Sequence, residues 1–79
     1  MTGMETETDT EAVTLTVNGE PRAVARGTTL AGLLASLDLD PRMIVVEHNR
    51  EILRDRSAFG HLELEEGDTL ELVHFVGGG

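Results

Sequence analysis

The stretch that decides the fold is residues 69–79, which read TLELVHFVGGG. Side chains alternate between the two faces of a strand with a period of two. One predicted face therefore carries Leu70, Leu72, His74 and Val76, and the other carries Glu71, Val73 and Phe75. The alternation predicts a β-strand that leads directly into three glycines.

The three glycines at 77–79 have no Cβ atoms, so they form a narrow and conformationally permissive segment. Such a tail suits entry into a narrow site on another protein, where it would present the carboxylate of Gly79. A terminal carboxylate has a reference pKa of about 3.3–3.7 and is ionised at neutral pH. The alternative interpretation is a frayed C-terminus without a function.

Composition limits the chain to one small domain of 79 residues. The chain has no cysteine, which excludes disulfides and thiolate nucleophiles. Its formal net charge of −9 argues against nucleic-acid binding and fits either solubility or a basic patch on a protein partner. The sequence contains neither a membrane-length apolar run nor a signal-peptide pattern, so we expect a cytoplasmic protein that does not enter membranes.

The domain organisation follows from changes in pattern along the chain. Residues 1–12 alternate Thr and Glu without apolar periodicity, which predicts a disordered acidic leader. Residues 13–76 carry the strand and helix patterns of a folded domain. Residues 77–79 form the predicted flexible Gly-Gly-Gly tail.

The first half of the domain predicts a hairpin followed by a helix. Residues 13–17 alternate as a half-buried strand, Asn18-Gly19 is a strong hairpin signal, and residues 22–26 form the returning strand. A helix capped by Thr28 or Thr29 follows. Its apolar stripe consists of Leu30, Leu33, Leu34 and Leu37.

The second half predicts three more strands. The apolar run at 43–46 indicates a strand that is buried on both faces or lies near the sheet centre. Residues 51–53 are expected to form a short edge strand, and Phe59 is expected to anchor a short helical turn. The element order indicates an α+β fold, in which one helix packs on one face of a mixed sheet of four to five strands. Val73 and Phe75 are then exposed apolar residues beside the tail.

The chain carries no recognisable catalytic or metal-binding pattern. His48, His61 and His74 lack metal-ligand spacing, so no metal site is predicted. The glycine tail opens no helix and is not a phosphate-binding loop. We therefore expect a chain that is not an enzyme and binds no cofactor. The remaining reactive group is the Gly79 carboxylate, which an ATP-using partner could convert to an acyl-adenylate for transfer to sulfide, a persulfide or an amine.

Four stretches carry a resemblance to a known family. They are VNGEP at 17–21, GTTLAGLLASL at 27–37, VVEHNREIL at 45–53 and EEGDTLELVHFVGGG at 65–79. In their order and spacing these stretches resemble the ubiquitin-like β-grasp fold and, more narrowly, the ThiS family of sulfur carriers. The chain departs from the family at Gly32, Arg54 and Phe59, where a glutamate, a proline and a larger aromatic residue are common.

The resemblance implies a consumed and regenerated co-substrate of thiamine biosynthesis. An E1-like ThiF enzyme would use ATP to adenylate Gly79. Sulfur from a cysteine desulfurase would convert it to a thiocarboxylate for thiazole synthase, ThiG. The expected partner-binding residues are Gly78, Gly77, Val76, Phe75 and Val73, and the carrier alone is expected to be a monomer.

Other functions share the same fold and tail. These are the MoaD-like carriers of molybdopterin synthesis, the carriers of tRNA thiolation and the ubiquitin-like protein modifiers. A β-grasp module that only binds proteins is a further alternative, and it would not need a free terminal carboxylate.

Overall fold

The computed structural model describes residues 11–75. Five strands, one α-helix and two short 3₁₀ helices follow the predicted order. They are β1 (Ala12–Val17), β2 (Glu20–Ala25), α1 (Leu30–Ser36), a 3₁₀ helix (Pro41–Met43), β3 (Ile44–His48), β4 (Glu51–Leu53), a second 3₁₀ helix (Arg56–Ala58) and β5 (Thr69–His74). The described part of the chain is therefore an α+β domain, as expected.

The five strands form one sheet in the order β2-β1-β5-β3-β4. β1 and β5 are parallel, and the other neighbouring pairs are antiparallel. The last strand in the chain thus occupies the centre of the sheet. β2 and β3, which the helix connects, are not neighbours, so the rule for crossovers between adjacent parallel strands does not apply to them.

The β1–β2 hairpin turns at Asn18 and Gly19, which have φ values of 50° and 83°. Both residues adopt the positive φ that a tight two-residue hairpin turn requires. β2 begins at Glu20 rather than at the predicted position 22, because Pro21 is accommodated in the ladder opposite Thr16. A proline fits there because β2 is an edge strand and need not donate to an outer neighbour.

The core lies between the sheet and α1. Thr29 caps the helix, and its side-chain oxygen accepts a hydrogen bond from Gly32 N at 3.1 Å. Three of the four stripe leucines are buried, and Leu37 is half-buried at the end of the helix. The buried core consists of Val13, Leu15, Val17, Leu30, Leu33, Leu34, Ile44, Val46, Phe59, Leu64 and Leu70.

The prediction that β3 is buried on both faces is wrong. Ile44 and Val46 are buried, but Val45 between them is exposed. Only one face of the sheet is covered by the helix, so alternate residues of β3 face outward. The alternative prediction, a position near the sheet centre, is confirmed, because β3 lies next to the central strand β5.

Two other expectations are confirmed, and one boundary differs. Residues Glu51–Leu53 form the edge strand β4, and Phe59 is buried next to the second 3₁₀ helix. The helix ends at Ser36, before the last predicted stripe residue Leu37, and Asp38 just beyond it has a left-handed φ of 63°. Pro41 instead begins the first 3₁₀ helix.

The predicted leader falls mostly on residues 1–10, which lie outside the described residues. β1 begins at Ala12, one residue earlier than predicted, and the carbonyl of Glu11 accepts a hydrogen bond from Arg26 N at 2.8 Å. Within residues 11–75, no helix is long and apolar enough to cross a membrane.

Candidate functional site: the open sheet face

The site is built on the sheet face that α1 does not cover, which we call the open face. Along β5, Leu70 is buried and Leu72 is half-buried on the helix side, so Glu71 and Val73 lie on the open face. Val45 of β3 is directly opposite Val73. Phe75 continues the ladder one residue beyond β5, because its N–H donates to Met43 O at 3.0 Å.

The open face holds every large hydrophobic side chain that is exposed in the described chain. The exposed fractions are 39% for Val45, 47% for Ile52, 57% for Val73 and 38% for Phe75. None of these four residues packs against the core. Apolar side chains that cluster on one exposed surface are typical of a protein-binding site.

The predicted exposure of Val73 and Phe75 is therefore confirmed. Val45 and Ile52 were missed as members of the same surface. The signal for Val45 was hidden because residues 43–46 read as a continuous apolar run, which has no alternation to separate the two faces. Ile52 lies opposite Glu47, and only the β3–β4 register places it on the open face.

Asn18 holds the middle of β5 in position. Its side-chain Oδ1 accepts from Leu72 N at 2.7 Å, and its Nδ2 donates to Leu72 O at 3.3 Å. The Asn18 backbone N–H also donates to Leu70 O at 2.8 Å. The Asn18 side chain thus extends the pairing of β1 with β5 beyond the end of β1.

Asp68 holds the beginning of β5. Its Oδ1 accepts from Asn49 Nδ2 at 3.1 Å, and its Oδ2 accepts from Glu65 N at 2.9 Å and lies 3.1 Å from His48 Nε2. Asn49 also accepts a hydrogen bond from Thr69 N at 2.9 Å. This network joins the β3–β4 turn to the central strand.

The electrostatics of Asp68 reflect two opposing effects. Burial raises the pKa of Asp68, but the hydrogen bonds from Glu65 N–H, His48 and Asn49 more than offset it. The pKa of Asp68 therefore lies below its ordinary value. The sequence did not reveal this role of Asp68, because no local pattern reports contacts with residues nineteen or twenty positions away.

A charged pair lies beside the other end of β5. Arg42 Nη2 donates to Asp40 Oδ2 at 2.8 Å, and Arg42 Nε donates to Asp40 Oδ1 at 3.1 Å. The hydrogen bonds from the side chain and backbone N–H of Arg42, with a small contribution from the nearby His74, lower the pKa of Asp40 to about 2.

The predicted site residues Val76, Gly77, Gly78 and Gly79 lie outside the described residues. The structure reaches Phe75, so it places only the approach to the predicted tail. Among residues 11–75, no group of three or more His, Asp and Glu side chains could hold a metal ion. His48 contacts Asp68 and Asn49.

β5, the last of the described strands, lies at the centre of a five-stranded mixed sheet. One helix packs on one face of this sheet and leaves the open face uncovered. This arrangement defines a ubiquitin-like β-grasp protein. The sequence model of the ThiS family matches residues 15–79. The chain belongs to the ThiS family.

Three similar proteins illustrate this relationship. The sulfur carrier protein ThiS of Bacillus subtilis is 43% identical over 51 residues, which cover 65% of this chain and 76% of that protein. The crystal structure of the thiamine biosynthesis protein ThiS from Geobacter metallireducens has a TM-score of 0.71 and 37% identity, and the match covers 85% of this chain and 100% of that one. A thiazole synthase of Magnetococcus marinus is 44% identical over 63 residues, which cover 80% of this chain and 19% of the synthase. The chain thus spans about a fifth of the length of the thiazole synthases that it matches.

Proposed function

We propose that this chain is a sulfur carrier of thiamine biosynthesis and acts as a co-substrate rather than as an enzyme. The observation that carries the proposal is the ThiS family match, which runs from residue 15 through Gly79. Similarity to proteins named sulfur carrier protein ThiS and thiazole synthase favours the thiamine pathway over molybdopterin synthesis, tRNA thiolation or protein modification.

The proposed chemistry takes place at the carboxylate of Gly79. A carboxylate oxygen attacks the α-phosphorus of ATP on a ThiF-like enzyme, and pyrophosphate leaves. Hydrosulfide then attacks the acyl carbon, the bond from that carbon to the AMP oxygen breaks, and AMP leaves with the electron pair. The product is a thiocarboxylate with one oxygen replaced by sulfur. In the cell, a cysteine desulfurase supplies the sulfur as an enzyme persulfide, and a thiol reductant releases it as hydrosulfide while the thiols are oxidised to a disulfide.

In this proposal, the described residues bind the adenylating enzyme and orient the tail toward its active site. The open face, with Val73 and Phe75 next to the tail, contacts the adenylating enzyme. β5 is held at Leu72 and Thr69 by Asn18 and Asn49, so residues 76–79 leave from a fixed position. ATP binds to the partner, and the carrier works as a cytoplasmic monomer that delivers its sulfur to a thiazole synthase.

The test is the intact mass of the chain after incubation with a ThiF-like enzyme, ATP and sodium sulfide. We expect a mass increase of one oxygen-to-sulfur exchange, located on the C-terminal peptide. Deletion of Gly79 removes the reacting carboxylate from its position and should abolish the increase. Gly78→Val should also abolish it, because a β-branched side chain neither fits a narrow channel nor adopts the conformations of glycine.

Gly60→Val is the matched control, because Gly60 is exposed, has open space around it and lies outside the strands of the sheet. This variant should gain sulfur as the wild type does. Two results together would contradict the proposed function. The mass of the wild type would stay unchanged, and a chain extended beyond Gly79 would still support thiamine synthesis in cells.

A further inference from the structure

Two glutamates on the open face lie directly opposite each other. Glu47 of β3 pairs with Glu71 of β5 in the antiparallel register. Both project from the open face, since their neighbours Val46 and Leu70 are buried on the helix side. Like charges at directly opposite positions destabilise a sheet. The free domain therefore carries an unfavourable pair on the same face as its exposed apolar residues.

No basic side chain of the described residues forms an ion pair with either glutamate. The ion pairs found within residues 11–75 are Arg26–Glu11, Arg42–Asp40 and His48–Asp68. Arg50 borders the same groove of about 500 Å³ as Glu47 and Glu71, together with Thr69 and Val73. No side-chain nitrogen of Arg50 lies within 4.0 Å of a carboxylate oxygen of either glutamate.

The groove continues into the exposed apolar surface. Val73 lines the groove and lies opposite Val45, and Phe75 follows on the same face. A strand rises about 3.4 Å per residue, so the Cα atom of Glu71 lies about 7 Å along the strand from the Cα atom of Val73 and about 14 Å from that of Phe75. One partner surface can therefore cover the apolar residues and the two carboxylates together.

We propose that Glu47 and Glu71 together receive one arginine or lysine side chain of the adenylating enzyme that covers the open face. This inference rests on the proposed function. The partner surface has an apolar centre that covers Val73, Val45 and Phe75, and its cation is placed to enter between the two carboxylates. The cation removes the repulsion between Glu47 and Glu71, so the pair gains favourable electrostatic energy only in the complex. Such a contact fixes the position of the partner along the sheet relative to Gly79. It also gives a binding specificity that apolar contacts alone do not supply.

The test is adenylation of the double variant Glu47→Gln, Glu71→Gln by a ThiF-like enzyme at low and high salt. We expect the KM for the carrier to rise at least about tenfold at low ionic strength, with kcat unchanged and a smaller difference at high salt. Stability in urea should stay equal or rise, because the repulsion between the two carboxylates is gone.

The matched control is Glu63→Gln, Glu65→Gln, which changes the net charge equally at two exposed positions outside β3 and β5. Its KM should remain within about twofold of wild type. Equal effects in the two double variants would show that only net charge matters and would overturn the inference, as would a wild-type KM in the Glu47, Glu71 variant. Failure of the wild type to be adenylated would instead overturn the proposed function and this inference with it.

Discussion

At the scale of single residues, the position of the central strand depends on polar side chains from distant parts of the chain. Asn18 pairs with Leu72, and Asp68 connects to Asn49 and His48. Asn18 was recognised in the sequence only as a turn former. Its second role depends on β1 and β5 being parallel neighbours, which no local pattern reveals.

We predict that Asp68 makes stability depend on pH in the acid range. Its native pKa is lowered, so the stabilisation is fully present above the ordinary aspartate pKa of about 3.9 and is lost as the pH falls through the native pKa. Asp68→Asn cannot titrate and should flatten the decline of the urea midpoint below about pH 4. Urea denaturation at a series of pH values measures this directly.

Asp38→Asn is the control for this experiment. Asp38 is exposed and has a φ of 63°, which asparagine also tolerates. This variant should keep the acid decline of the wild type. An Asp68→Asn protein with the same acid decline as wild type would show that the network does not act through the ionised carboxylate.

At the scale of elements, α1 depends on packing because seven residues are too few for a stable isolated helix. Leu30, Leu33 and Leu34 are buried against the sheet. Gly32 lies in the same helix but is exposed. A Cβ atom there would meet only Thr29 Oγ1 at 3.4 Å and Thr28 Cγ2 at 3.7 Å. Close packing of Gly32 against a strand is therefore not the reason for this glycine.

We predict that Gly32→Ala stabilises the domain by about 0.5–1 kcal/mol, because alanine has the higher helix propensity and the site has room for its methyl group. Gly27→Ala is the matched comparison. It also has open space around it, but its φ of 92° disfavours any side chain. We expect Gly27→Ala to destabilise by about 1–2 kcal/mol. Urea denaturation should show that the two substitutions change the free energy of unfolding in opposite directions. Destabilisation by Gly32→Ala would point to a role for this glycine that helix packing does not explain.

At the scale of the whole molecule, one helix covers one face of a five-stranded sheet, and none of the elements described within residues 11–75 covers the other face. The exposed apolar residues on that face do not pack against the core. Substitutions on the open face should therefore change partner binding without changing the stability of the domain. The core residues, by contrast, should affect both.

We predict that Phe75→Ser weakens adenylation by a ThiF-like enzyme while leaving the fold intact. The KM for the carrier should rise, because an apolar contact beside the tail is lost, and the free energy of unfolding should change by less than about 0.5 kcal/mol. Ala35→Ser, at an exposed position on α1, serves as the control and should change neither quantity. Unfolding of the Phe75→Ser protein would place Phe75 in the core, and an unchanged KM would remove it from the interface.

The sequence by itself determined the α+β class, the hairpin turn at Asn18-Gly19, the apolar stripe of α1 and the alternation of β5. These features depend on local periodicity and turn chemistry, which residues close together in the chain specify. Residues 65–79 also carried part of the family resemblance, which the match over residues 15–79 supports. The roles assigned to Val76–Gly79 remain predictions.

Only the tertiary structure decided which strands are neighbours and which face stays open. The placement of β5 between β1 and β3 brings Glu71 opposite Glu47 and Val73 opposite Val45. The same placement brings Asn18 to Leu72, 54 positions away in the chain. Such contacts depend on strand order and register, which are set by burying the whole apolar core at once rather than by any one segment.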